Sequence, residues 1–309
     1  MRRLTIRPPG LVLAALLIAV FAAAGCGDGG SGGDAKLTVV ATTTQVADLV
    51  RDVGGERVDV DGILRPNSDP HEYEPRPSDA AALAKADLVF RSGGELDEWL
   101  DQIVDSAGGD AEQVTLIESV HRLGDDPHWW QDPRNTILAV AAIRDALAKA
   151  DPAGKAGYAR RAAAYTAKLR ALDAAIAGCV DQVPSAKRKI VTTHDALGYF
   201  AHRYGVEVIG AVIPSLSTQA QASAKDVNQL VDQIRSEGVE AIFPEAAVTQ
   251  KLEQAISREA GAKVGGKLYA DTLGPAGSGA ATYLEAMRHN STALVDGMSG
   301  GRVRCGLGG

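Results

Sequence analysis

Three of the six histidines in this chain stand in short polar turns beside aspartate or proline, and each turn interrupts an otherwise apolar pattern. They are His71 in Asp69-Pro70-His71-Glu72-Tyr73-Glu74-Pro75, His128 in Asp125-Asp126-Pro127-His128-Trp129-Trp130, and His194 in Val191-Thr192-Thr193-His194-Asp195. A carboxylate, Asp271, closes a strand-like run, Lys267-Leu268-Tyr269-Ala270, in a fourth such place. Three imidazoles and one carboxylate form a donor set suited to a borderline divalent ion such as zinc. The four are spread along the chain, so only a fold can assemble them.

Each of these residues also has a plainer reading. A histidine in a turn is usually solvated or bonded locally, but Pro70 and Pro127 fix the backbone just before two of the rings. His194 follows a buried strand, where the alternative is a core histidine bonded to backbone. Asp271 could simply cap a turn with Thr272. His121, His202 and His289 lack such settings and read as surface residues.

The elements that must position these groups alternate strand and helix, which implies parallel sheets. Before His128 the pattern gives strands over 37–41, 58–64, 87–90 and 114–117, with helices over 45–53, 78–84 (Ser78 as N-cap) and 95–105. A proline-free stretch from about Lys155 to Val183 reads as one helix of roughly 29 residues, about 43 Å long. Beyond it come strands over 189–193, 206–213, 239–243 and 267–270, and helices over 196–204, 223–236, 250–260 and 280–295. About 270 residues exceed one typical core, so two lobes are expected. The fold class is α/β, two parallel-sheet lobes joined by one long helix.

The motifs resemble those of the cluster A-I solute-binding proteins, the zinc and manganese receptors of ABC importers. The matching stretches are Asp69-Pro70-His71-Glu72-Tyr73-Glu74-Pro75-Arg76-Pro77-Ser78-Asp79 and Asp126-Pro127-His128-Trp129-Trp130-Gln131-Asp132-Pro133-Arg134-Asn135. His194-Asp195-Ala196-Leu197-Gly198-Tyr199-Phe200 and Tyr269-Ala270-Asp271-Thr272-Leu273-Gly274 follow in the family's order. The second motif departs from the pattern by one step, with Trp at both positions after His128. The resemblance spans about 37–298 and implies that His71, His128, His194 and Asp271 hold one Zn2+ or Mn2+ between the lobes, for delivery to an ABC permease. It also implies that Glu245, after Phe243-Pro244, orients a ligand histidine from behind; otherwise Glu245 is an acid at a helix start. Trp129, Trp130 and Tyr199 either wall the site or pack at the lobe interface. Histidine at the third position favours zinc over manganese, although the chain lacks the His-rich loop of many zinc members.

The N-terminus predicts export. Arg2, Arg3 and Arg7 precede fourteen uncharged, mainly apolar residues, Leu11 to Ala24, too few to span a bilayer. Ala23-Ala24-Gly25-Cys26 resembles a lipobox, so residues 1–25 read as a lipoprotein signal peptide and Cys26 as the acylated anchor. Residues 26–36 form a glycine-rich tether. A metal-binding lobe over 37–152, a linking helix over 153–185, a second metal-binding lobe over 186–300 and a flexible tail over 301–309 complete the organisation. Loss of the signal segment removes three arginines and no acid, taking the formal charge from −7 to −10. That acidity argues against nucleic-acid partners. A monomer on the outer face of the membrane is expected. Cys179 and Cys305, left in an oxidising compartment, are either bridged or two separate thiols. No HExxH helix or marked general base is present, so the remote alternative of a zinc hydrolase has little support. A manganese-specific receptor and a surface adhesion lipoprotein share every motif.

Overall fold

Parallel strands need crossovers, and here the crossovers generate two sheets of the same wiring. The computed structural model describes residues 36–307 and, at the start of the chain, only Met1. The expected signal segment, the lipidation site Cys26 and the tether up to Ala35 lie outside the described residues. The first sheet is built from β1 (Leu37–Ala41), β2 (Val58–Gly62), β3 (Leu88–Arg91) and β4 (Glu112–Thr115) in the order β2-β1-β3-β4. Helices α1 (Thr44–Gly54), α2 (Pro77–Leu83) and α3 (Asp101–Ala107) connect them, and α4 (Pro133–Ala150) follows. The second sheet, β6-β5-β7-β8, uses β5 (Lys189–Thr192), β6 (Glu207–Ala211), β7 (Ala241–Phe243) and β8 (Lys263–Val264). Its helices are α6 (Gly198–Tyr204), α7 (Ala224–Glu237), α8 (Lys251–Ala260) and α9 (Tyr283–Met298). All pairings are parallel. Among the described residues no helix is long and apolar enough to cross a membrane.

Helix α5 (Lys155–Val180) lies between the sheets in sequence and is 26 residues long, about 39 Å. Tyr158, Ala162, Tyr165, Leu169, Leu172, Ile176 and Cys179 are buried at alternating spacings of four and three, one stripe along one face. That stripe joins Val39 and Phe90 of the first sheet to Ile190, Phe243 and Leu294 of the second half in a single apolar cluster. The strands obey their period of two. Val39 and Ala41 enter the shared core while Val40 faces a smaller cluster with Leu83, Val89 and Leu100. Ala241 and Phe243 likewise enter it, while Ile242 packs with Leu230, Ile234 and Ile256.

Several expectations are corrected. Residues 133–150, to which the sequence reading gives no element, form α4, started by the Asp132 side chain accepting from Arg134 N and by Pro133. Ser78 is not the N-cap: Pro77 opens α2, and Asp79 accepts from Arg76 N at 2.7 Å. The helix expected over 95–105 is split at Asp97 (φ −132), whose carboxylate turns back to Thr42 Oγ1 and Ser92 N, both at 2.7 Å. The run 267–270 is not a strand. Only Leu268 bridges to Glu245, because Asn290 takes both the N–H and the carbonyl of Tyr269 at 2.8 Å. Two strand residues, Lys263 and Val264, complete the sheet instead. As far as Leu307 the tail expected to be flexible does not run free: Cys305 is disulfide-bonded to Cys179 of α5, and Leu307 packs against the core.

Candidate metal centre

His71 and His128 are set by the same local device. The aspartate two residues earlier accepts the histidine N–H, Asp69 Oδ1 from His71 and Asp126 Oδ1 from His128, each at 2.9 Å. The intervening proline pre-sets its own φ, so part of each turn's geometry is set by adjacent residues. Asn67, at φ 63, brings the chain to the first of these turns, a conformation Asn tolerates. Beyond the backbone the two diverge. Asp126 Oδ1 also lies 2.7 Å from His128 Nδ1, which aims Nε2 inward, whereas Asp69 Oδ2 accepts from Thr218 Oγ1 of the second lobe at 2.7 Å. The His128 turn is pinned to the end of β3 by Trp129, whose Nε1 donates to Ser92 O at 3.2 Å.

In the second lobe the positioning is long-range. His194 lies two residues past β5 and Glu245 two residues past β7, neighbouring strands at the point where the strand order reverses. Ligands of open α/β sheets sit at that place. His194 Nδ1 is 2.6 Å from Glu245 Oε1, and Thr193 Oγ1 accepts from Glu245 N at 3.1 Å. Asp271, by contrast, follows no strand and reaches the site from an irregular segment.

The four side chains converge. His71 Nε2 and His194 Nε2 lie 3.3 and 3.1 Å from Asp271 Oδ2, and His128 Nε2 lies 3.4 Å from Asp271 Oδ1. His194 Nε2 and His128 Nε2 are 3.3 Å apart. Tetrahedral zinc, with ligands about 2.0–2.1 Å away, places its donor atoms about 3.3 Å from one another. All four residues are buried. His71 Nε2 and both oxygens of Asp271 have no hydrogen-bond partner, a costly state for buried polar atoms that a cation would relieve.

The electrostatics agree. Burial opposes a charge on His194, but the Asp271 and Glu245 carboxylates outweigh it and hold its pKa well above the ordinary histidine value. Burial also raises both acids, with different outcomes. Asp271, facing His194 and His128, is held well below the usual carboxylate range, while Glu245, with one ring beside it, is pushed up. The arrangement is an anionic nest for a positive charge.

The sequence-derived candidates divide accordingly. His71, His128, His194 and Asp271 come together, with Glu245 directly behind His194. His121 and His202 are exposed, and His289 is half-buried with Nε2 2.9 Å from Lys267 O. Trp129 and Trp130 are core residues, the Trp130 ring standing edge-on to His128 at 5.4 Å. Tyr199 bridges the lobes, its hydroxyl accepting from Leu123 N at 2.8 Å. Sequence reasoning gave no role to Asp126 as the partner of His128 or to Asp69 as a lobe bridge. The signal was present in both Asp-Pro-His tripeptides, since an aspartate two residues before a histidine can accept its N–H.

Two parallel sheets of identical wiring, a shared helix and a four-donor cage between them define the class of two-lobed metal receptors. Within that class the chain belongs to the family described as zinc-uptake complex component A, periplasmic, whose model matches residues 39–297. A manganese-binding lipoprotein, MntA of Halalkalibacterium halodurans, is 33% identical over 293 residues, covering 92% of this chain and 97% of the relative. The manganese ABC transporter substrate-binding lipoprotein PsaA of Streptococcus pneumoniae is 28% identical, covering 93% and 98%. The solved structure of the periplasmic zinc-binding protein TroA from Treponema pallidum superposes with a TM-score of 0.80 at 29% identity, covering 85% of this chain and 99% of that one.

Proposed function

We propose that this protein captures one Zn2+ or Mn2+ outside the cytoplasmic membrane and delivers it to the permease of an ABC importer. His71, His128 and His194 supply Nε2 and Asp271 its carboxylate; Glu245 and Asp126 orient rings from behind. One observation carries this reading: three ring nitrogens face a buried carboxylate whose oxygens have no hydrogen-bond partner. Three nitrogens beside one carboxylate favour zinc. The fourth donor also fills the position that a hydrolytic zinc would leave open for water, so the metal is cargo and not a reagent.

The names of the relatives support lipid anchoring through Cys26 and work with a transporter. The receptor acts as a monomer, and its acidity is unsuited to nucleic acid. The test is a calorimetric titration of the chelator-stripped protein with Zn2+ and, separately, Mn2+. One tight ion per chain is expected for wild type, and none for His71→Ala. Two tight sites, or unchanged binding in His71→Ala, would overturn the ligand assignment.

A further inference from the structure

Asp271 is the ligand least supported by its own lobe. Its carboxylate accepts no hydrogen bond, no regular strand precedes it, and only the Leu268 bridge ties its segment to the second sheet. Its own lobe holds the backbone as far as Tyr269, through Asn290 of α9, but the carbonyl of Ala270, the residue joined to Asp271, is held from across the interface. Trp130 Nε1 donates to Ala270 O at 2.8 Å and Gln131 Nε2 donates to the same oxygen at 2.9 Å. Two donors match the two lone pairs of one carbonyl. Both donors belong to buried side chains of the first lobe, on the same short helical turn that begins after His128. That turn is itself held, because Tyr283 of α9 donates its hydroxyl to Trp130 O at 2.7 Å.

We propose that Trp130 and Gln131 are positioning residues for Asp271: they grip the Ala270 carbonyl and so set, from the first lobe, a ligand that the second lobe carries. The inference rests on the four-ligand reading above and adds two residues to it. Gln131 is the informative member. Packing alone would select an apolar side chain there, because its Oε1 is buried with no partner. A buried unsatisfied oxygen is destabilising, so the amide is retained for the bond its nitrogen makes. Gln131 also occupies a position that the Asp-Pro-His-x-Trp-x-Asp pattern leaves open, so the resemblance assigns it no role.

The experiment compares Gln131→Leu, Trp130→Phe and the double variant in the full chain, reading Zn2+ affinity, metal release rate and the melting temperature of the metal-free form. Gln131→Leu removes the orphan oxygen, so the metal-free protein should melt at or above the wild-type temperature. Its Zn2+ affinity should nevertheless fall about tenfold, through faster release, at the low end of the effect of residues that orient metal ligands. The double variant leaves the carbonyl without a donor, and its loss should exceed the product of the two single losses. The electron paramagnetic resonance spectrum of bound Mn2+ should broaden in Gln131→Leu as the cage loosens. A lower melting temperature with affinity within twofold of wild type would mark a packing role and overturn the proposal. His71→Ala is the control. If it binds as wild type does, the ligand set fails and the grip fails with it; if it loses binding while Gln131→Leu and the double variant stay within twofold, the grip alone fails.

Discussion

The two lobes hold their ligands by different means. In the first, the residue that fixes each histidine lies two positions earlier in the chain, Asp69 for His71 and Asp126 for His128. In the second, His194 meets Glu245, 51 residues away, and the segment leading to Asp271 is held by Asn290 of α9 at Tyr269 and by side chains of the opposite lobe at the Ala270 carbonyl. The first lobe therefore presents rings whose backbone is shaped locally, and the second acquires its ligands only when its sheet and the interface have formed. Ion capture by such a pair couples a locally organised half to a half organised by tertiary contacts.

The largest effect that could break this comparison is loss of a ring from either side. His128→Ala and His194→Ala should both abolish tight binding in a chelator competition assay; survival of tight binding in either would show that one lobe suffices. Next come the orienting acids. Glu245→Gln and Asp126→Asn should each weaken Zn2+ binding about 10- to 100-fold. They should differ in pH dependence, which is the sharper test.

A ligand histidine must lose its proton before it can bind metal. Ordinary values near 6.5 would make affinity nearly flat above about pH 7.5. His194 is held well above that value, so its proton competes at higher pH, and wild-type affinity should still be rising above pH 7.5. The sign reverses for the metal-free fold. A pKa raised on folding contributes stability below the unfolded value near 6.5 and loses it as pH rises through the folded value. Metal-free protein should therefore lose melting temperature as pH rises from about 6.5 through the raised folded-state value of His194, while the metal-loaded form gains it. In Glu245→Gln both trends should shrink, since one of the two carboxylates holding that proton is gone. Equal slopes in wild type and Glu245→Gln would remove Glu245 from the account. The smallest effect is expected at the other Asp-Pro-His turn. Asp69→Asn keeps an oxygen able to accept the His71 N–H, so affinity should change by no more than about threefold. A larger loss would mean that the Thr218 bridge, and not the turn, is what places His71.

This difference between the lobes also decides what could be read from sequence. His71 and His128 were legible because the proline and aspartate that shape them are adjacent. His194 and Asp271 were legible through resemblance, since the groups that surround their side chains come from distant parts of the chain. Strand and helix alternation was readable wherever apolar spacing was regular, and the α5 stripe from Tyr158 to Cys179 is an example. It misled at 267–270, where backbone groups go to the Asn290, Trp130 and Gln131 side chains and no ladder forms. It also passed over α4, although Asp132-Pro133 is a strong start signal. Gln131 carried no signal at all, because its importance lies in a carbonyl that another part of the chain delivers.

The bond between Cys179 and Cys305 spans 126 positions of sequence and encloses β5 to β8 together with α9. The second lobe is thus a covalently closed circuit. A protease that nicks an exposed loop there, for instance around Gln219 or Gly277, cannot detach a fragment. Both cut ends stay tied to α5, and the nicked receptor should migrate as one species until a reductant opens the circuit. For a protein working outside the cell's own repair systems, that confers tolerance of damage.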